Sequence, residues 1–276
     1  MRLKYLGTAA YEGVPSLFCD CAVCKKSMRV GGKNLRSRSQ ALLNDDLLID
    51  FPADTVWHSQ RFGLDWSKIT DCIVTHSHSD HLYAEDAGML ANGYAQGKSK
   101  LHFHCGAVGL DKLKEVAAHE HIGERLELSL VVPYEKFTVC NGKYTILPLP
   151  ADHAQDTSPV IYAIADENRR LLYAHDTGIF AEEVYDGLRS FGKLDLVSLD
   201  CTGCLALGGD WERGHMSVGS NLRTIERMKK EEIADDKTIF VLNHFSHNGG
   251  QTYDELAEAV KGKGVLVAYD GMEIAF

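Results

Sequence analysis

Residues 74–82 read VTHSHSDHL, which puts His76, His78, Asp80 and His81 within six positions. Imidazole and carboxylate groups are ligands for zinc, manganese or iron. Side chains at i and i+2 share a face while the chain is extended, so His76 and His78 can reach one ion. Asp80 and His81 follow where the apolar run DCIVT ends and a helix is expected to begin. There they point elsewhere and can serve a second ion. Three histidines and an aspartate at this spacing are a poor match to a loop that is polar by chance. A second cluster, FCDCAVC, carries Cys19, Cys21 and Cys24. A structural zinc site takes four ligands in a tetrahedron, so its fourth ligand must come from elsewhere in the chain.

Two ions with filled shells need ligands from distant strand ends. His153 follows the apolar run ILPLPAD, Asp176 ends LLYAHD, and His244 ends IFVLNH. A lone histidine is more often a packed or solvated residue than a ligand. Together the three complete a two-ion set, in which Asp176 is able to bridge.

The elements that position these residues are legible as short apolar runs alternating with amphipathic stretches. RLKYLG reads as a strand, and QALLN with LLIDF as a hairpin around Asp45 and Asp46. PADTVWHSQRF reads as a helix with Pro52 in its first turn, DCIVT as a buried strand, and DHLYAEDAGMLANGYA as a helix. KLHFHC (strand) and AVGLDKLKEVAAHE (helix) follow. KYTILPLP, PVIYAIAD and RLLYAHD read as successive strands. FAEEVYDGLRSF is helical, LDLVSLD a strand, SVGSNLRTIERMKKEEI a helix, TIFVLN a strand and TYDELAEAVK a helix. GVLVAYDGMEIAF reads as a terminal hairpin turning at Asp270-Gly271. No Pro/Gly/Ser-rich linker divides the chain, so residues 1–276 are expected to form a single domain.

Composition narrows the function. The 276 residues are 45% hydrophobic and 25% charged, ordinary values for a globular protein. A net charge of −10 disfavours a broad basic footprint for nucleic acid or an anionic membrane. An anionic small substrate stays compatible with it if bound metal supplies the positive charge. No apolar run of signal-peptide type opens the chain, and none is long enough to span a membrane. Eight cysteines in such a chain read as reduced thiols or metal ligands. The expected location is the cytoplasm.

HSHSDH, His153, the HDTG carrying Asp176, and the NHFSH carrying His244 together resemble the metallo-β-lactamase superfamily, over essentially the whole chain. The resemblance implies an α/β (α+β) fold, a four-layer αββα sandwich with metals at one edge. By it, His76, His78 and His153 hold the first ion, Asp80, His81 and His244 the second, and Asp176 bridges them. GTAAYEGVPSLFCDCAVC and RGHMSV narrow the branch. They resemble the PhnP-like phosphoribosyl 1,2-cyclic phosphate phosphodiesterases of the carbon–phosphorus lyase pathway. That likeness makes His247 the fourth ligand of a structural zinc with Cys19, Cys21 and Cys24, in a zinc-binding loop at about 13–30. It implies two active-site divalent ions (manganese, zinc or iron) and a small phosphodiester substrate. A homodimer is compatible with it.

His215, free of metal duty, is then the candidate to contact phosphate or act as general acid, and Asp80 to help orient the nucleophile. Arg213 is a candidate phosphate contact, in a loop from Cys201 to Arg213 that closes one side of the site. Cys201 and Cys204 form a lone C-x-x-C, a weak metal or redox signal, and are read as part of that loop. His102 and His104 are assigned packing or rim roles, His119 and His121 solvent, and His175 a place behind the bridging aspartate. Three rival functions fit parts of the pattern. Ribonuclease Z shares a similar motif, but this acidic chain has no long basic insertion for transfer RNA. A thioester or lactam hydrolase of the same fold is opposed by the cysteine cluster and the His215 loop. A non-catalytic metal-bound protein is opposed by the complete ligand set.

Overall fold

The computed structural model describes residues 1–97, 100–206 and 213–276. The first half supplies six strands of a seven-stranded sheet, β1 (Arg2–Gly7), β2 (Gln40–Leu43), β3 (Leu47–Ile49), β4 (Asp71–Ile73), β5 (Leu101–Cys105) and β6 (Leu126–Leu130). The second half builds another from β7 (Phe137–Val139), β8 (Tyr144–Pro150), β9 (Val160–Ala165), β10 (Arg170–Ala174), β11 (Leu196–Asp200), β12 (Ile239–Asn243) and β13 (Val265–Val267). The last strand, β14 (Glu273–Ala275), returns to the first sheet and pairs antiparallel with β1.

The two sheets pack face to face. Leu3, Tyr5, Leu43, Leu47, Ile49 and Ile73 meet Tyr144, Ile146, Tyr162, Ile164, Leu171 and Tyr173 in one buried core. Tyr5 Oη donates to Ser198 Oγ at 2.8 Å across the gap, so even the polar atoms of this layer are paired. Helices cover both outer faces. On the first sheet lie α1 (Ala22–Val30) at its rim, α2 (Thr55–Phe62) and α3 (Ala107–His119), the last burying Leu110 and Leu113. On the second lie α4 (Glu182–Phe191) and α5 (Val218–Lys230), while α6 (Tyr253–Ala259) sets Leu256 into the core between the sheets. α4 buries Val184, Tyr185, Leu188 and Phe191, one stripe at helical spacing, with Glu182 and Glu183 at its positive end. Ser217 and Ser220 close a capping box on α5, as Thr252 and Glu255 do on α6. The layers are helix, sheet, sheet, helix, the α/β sandwich expected.

Three local expectations are corrected. The stretch 80–95 is not an α-helix. Residues 76–83 form turns, in which Tyr83 N donates to Phe51 O at 2.8 Å, and only Ala84–Leu90 winds, as a 3₁₀ helix. Backbone pairing to Phe51 takes the donors that a helix would use, and Gly93 at φ 103° lies in a region that interrupts winding. α2 begins at Thr55, not at Pro52; Pro52 O instead accepts from Thr55 N and Oγ1, closing the turn before the helix. The C-terminal segment is not a hairpin. β13 runs parallel to β12 in the second sheet, while β14 joins the first. The turn between them crosses the sandwich because Asp270 is drawn inward. It accepts from Thr8 Oγ1 at 2.6 Å and from Ser37 N and Oγ at 2.7 and 2.6 Å. Two strands, β6 and β7, carry no clear signal in the sequence. Both are short and half-exposed, so they lack a strong apolar run.

The buried Arg36 guanidinium donates to the same Thr8 hydroxyl at 2.7 Å and to Ala268 O at 2.7 Å. Asp270 is therefore one end of a buried charged network. Asp270→Ala should lower stability by about 3–5 kcal/mol, the usual cost of leaving a buried charge uncompensated. Urea denaturation checks this; an unchanged midpoint would show that the network does not matter.

Candidate metal centre

The C-terminal ends of the parallel strands of both sheets open on one edge, and the motif residues gather there. His76, His78, Asp80 and His81 follow β4, His153 follows β8, Asp176 follows β10 and His244 follows β12. Backbone conformation helps to aim them. Asp50 at φ 66°, Asp176 at 51° and His244 at 60° all lie in the left-handed region, which non-glycine residues enter rarely.

The ligand atoms of His76, His78, His153 and Asp176 lie within 4.8 Å of one another, as do those of Asp80, His81, Asp176 and His244. Asp176 belongs to both groups. Its Oδ2 is 3.0 Å from His81 Nε2 and 3.2 Å from His76 Nε2. Its Oδ1 is buried and accepts no hydrogen bond. His76 Nε2 faces His78 Nδ1 at 3.0 Å, His153 Nε2 faces the same atom at 3.2 Å, and His81 Nε2 faces His244 Nε2 at 3.2 Å. Several imidazole nitrogens thus converge on one another and on Asp176. An orphaned carboxylate oxygen among them is the arrangement a pair of cations relieves. The donor set, imidazole and carboxylate without thiolate, suits divalent zinc, manganese or iron.

Electrostatics agrees with that arrangement. Burial, aided by the neighbouring His81, holds His76 down to about 4, so it stays neutral with its lone pair available. Burial opposes charge on Asp176, but His244, His76 and His81 outweigh it and keep the carboxylate well below its usual range. Asp80 is likewise held at about 2, against burial, chiefly by His81.

Two buried carboxylates in support of the centre carry no distinguishing sequence signal. Asp50 ends β3 and accepts from Thr75 N at 2.7 Å, while its Oδ2 meets His81 Nδ1 at 2.7 Å. It sets which His81 nitrogen faces the cluster. Asp200 ends β11 and stands 3.3 Å from both His215 Nδ1 and His244 Nδ1, while accepting from Met216 N at 2.8 Å. Each is an aspartate closing an apolar strand, the same feature that marks Asp176; nothing in composition separates them from turn residues.

His215 lines a pocket of about 400 Å³ with His78, Asp80, His153, Asp176 and His244. Its Nδ1 is 3.2 Å from Asp176 Oδ1. Burial would lower its pKa, but Asp200 and then Asp176 push it up to about 9; a cation on Asp176 would draw it back down. Ala10, Tyr11 and Glu12, from the loop after β1, form the opposite wall of the pocket. Arg213 is exposed and is not among the lining residues. Residues 207–212 of the Cys201–Arg213 loop lie outside the described residues.

Cys19, Cys21 and Cys24 meet His247 with all ligand atoms within 4.8 Å. Cys19 and Cys21 Sγ are 3.6 and 3.5 Å from His247 Nδ1. A zinc tetrahedron with its usual Zn–S and Zn–N lengths separates sulfur from nitrogen by about 3.6 Å. Burial raises the Cys21 thiol, but the Cys24 N–H and His247 outweigh it and bring it down to about 6, which favours the thiolate a metal takes. Cys201 and Cys204 are buried in the core between the sheets; a Cβ on Gly249 would stand 2.5 Å from Cys204 Sγ, so these thiols pack against backbone. His175 lies behind Asp176 with Nε2 2.7 Å from Ser198 Oγ. His119 is exposed against Glu120 at 2.7 Å, and His121 is exposed.

The family model for the beta-lactamase superfamily domain matches residues 48–245, more than half of the chain. The chain belongs to that superfamily. Its structure is similar to that of a diphosphatase from the PhnP family, at 22% identity over 100% of this chain and 97% of the other, TM-score 0.74. It is also similar to zinc-bound PqqB from Methylobacterium extorquens, at 16% identity over 100% of both chains, TM-score 0.73. Human tRNase Z, short form, aligns at 17% identity over 100% and 99%, TM-score 0.65. By sequence, no curated protein matches. Among the described residues no helix is long and apolar enough to cross a membrane.

Asp50→Ala should weaken metal retention by about 10–100-fold, because it frees the His81 ring to turn. Elemental analysis after graded chelator dialysis checks this. Retention equal to wild type would remove Asp50 from the support of the centre.

Proposed function

We propose that this chain hydrolyses a small phosphodiester, foremost a ribosyl or nucleotide cyclic phosphate, at the strand-end cluster. The observation that carries the reading is His215, set against Asp176 and backed by the buried Asp200 in a pocket walled by the metal-ligating groups. His76, His78 and His153 would hold one divalent ion, Asp80, His81 and His244 a second, with Asp176 between them. Such ions, when bound, supply a nucleophile at neutral pH and neutralise phosphate charge. Asp80 would also orient the nucleophile. His215, its ring fixed by Asp200 at Nδ1, would hydrogen-bond the phosphate or deliver a proton to the leaving alkoxide. Arg213, two residues earlier, would meet the substrate from the rim. Two similar structures carry names of the same broad chemistry, a diphosphatase and a tRNase. The net charge of −10 favours a small substrate over transfer RNA.

His215→Ala should leave fold and metal content intact while lowering turnover by roughly 10²–10⁴-fold. Emptying of the metal centre by this change would overturn its role. Activity is to be compared on a 1,2-cyclic ribose phosphate, 2′,3′-cyclic nucleotides, a linear dinucleotide and precursor transfer RNA. Cleavage of the cyclic esters is expected. Processing of the precursor with none of the cyclic esters cut would replace this reading by a ribonuclease Z-like one.

Cys19, Cys21, Cys24 and His247 are proposed to hold a structural zinc, which contributes folding free energy directly. Cys21→Ala should therefore lower the melting temperature. Calorimetry with zinc analysis checks this, and an unchanged melting temperature with unchanged zinc would refute it.

A further inference from the structure

A second gathering of metal-ligating side chains lies at the other end of β4, away from the strand-end cluster. Asp71 and His102 are register partners across the parallel β4–β5 pair, and His104 follows two positions along β5 on the same face. His104 Nε2 stands 2.8 Å from Asp71 Oδ1, and His102 Nδ1 stands 3.7 Å from the same oxygen. The two imidazoles overlap, with centroids 3.9 Å apart and planes tilted by 32°. All three ligand atoms lie within 4.8 Å of one another. A zinc tetrahedron with N and O ligands at about 2.0–2.1 Å places them about 3.3 Å apart. The observed 2.8 and 3.7 Å bracket that spacing.

The groups are oriented from behind, as ligands are. His102 Nε2 is engaged by Ser129 Oγ at 2.8 Å, which turns Nδ1 towards Asp71. Asp71 Oδ2 accepts from Thr70 Oγ1 at 2.7 Å and Cys140 N at 3.1 Å, which leaves Oδ1 for the imidazoles. Glu127, the register partner of His102 on β6, brings Oε2 to 3.8 Å from His102 Nδ1, while Lys100 holds its other oxygen at 2.7 Å. Asp71, His102 and Glu127 line a surface pocket of about 480 Å³, which gives an ion access. The His104–Asp71 contact alone is an ordinary hydrogen bond. The approach of His102 Nδ1 to that same oxygen, with all three ligand atoms within 4.8 Å, is what a cation accounts for.

We propose that Asp71, His102 and His104 form an accessory site for one divalent transition-metal ion of zinc type, with Glu127 or water completing the shell. Two imidazoles and a carboxylate are the donor chemistry for such an ion. The site ties β4 to β5 where His104 stacks on Phe137 of the opposite sheet, centroids 5.2 Å apart. A bound ion therefore pins β4 to β5 beside that contact.

The test uses the full chain as purified, in wild-type form and as His102→Ala, each equilibrated with micromolar free cobalt. Elemental analysis should find one cobalt more per chain in the wild type, because the strand-end and cysteine clusters are common to both proteins. Cobalt should also raise the melting temperature of the wild type further than that of the variant. Equal cobalt content in the two folded proteins overturns the proposal. Should His102→Ala fail to fold, His102→Gln, which keeps a polar group beside Ser129, is read by the same two criteria.

Discussion

The structure is organised around one buried carboxylate. Asp176 sits at the edge where both sheets end, enclosed by imidazoles, with one oxygen that accepts no hydrogen bond. A carboxylate cannot remain charged in such a place without compensation. Every element around it contributes some. Strands from both sheets deliver imidazoles, and two further aspartates, Asp50 and Asp200, hold those imidazoles from behind. The sandwich must keep its two sheets in a fixed relation for this to persist, and the buried tyrosines and aliphatic residues between them do so.

The N-terminal loop is coupled to the same edge. His244 and His247 are three residues apart and face different clusters, the first towards Asp176 and the second towards the cysteines. Ser246, between them, donates to Glu12, and Glu12 lines the pocket beside the strand-end cluster. Any ion held by the cysteines therefore fixes one wall of the pocket as well as the loop. Arg36 adds a second tether, with its guanidinium 4.0 Å above the Phe245 ring and bonded to Ala268 O. Stability and pocket shape are here consequences of the same contacts.

The acidic balance of the chain and its chemistry are reconciled by local charge. The overall charge of −10 repels anions, yet the pocket gathers imidazoles and carboxylates whose donor set suits divalent cations. A superfamily fold carries many reactions. Beside the cluster itself, His215, Glu12 and Tyr11 line the pocket.

Much of this was legible in the amino-acid order. The spacing of His76, His78, Asp80 and His81, and the polar residues ending apolar runs at His153, Asp176 and His244, marked the cluster because strand periodicity and strand ends are local properties. The cysteine motif marked a site with a missing member for the same reason. Asp50 and Asp200 were not legible as supporting groups: an aspartate after a strand is also what an ordinary turn contains, and only the fold shows which imidazole it meets. The helix expected after Asp80 gave way to turns because a non-local backbone pairing to Phe51 consumed its hydrogen bonds. The crossing of β14 into the first sheet likewise depended on Asp270 meeting Thr8 and Ser37, partners more than 230 positions away. The sequence by itself determined which side chains offer metal-ligand chemistry and which strongly apolar runs are strands, since both follow from residue type and short-range spacing. Tertiary structure alone decided which carboxylate supports which imidazole, how the last strands are shared between sheets, and that His102 and His104 converge on Asp71, because those contacts arise between segments whose separation along the chain encodes no distance in space.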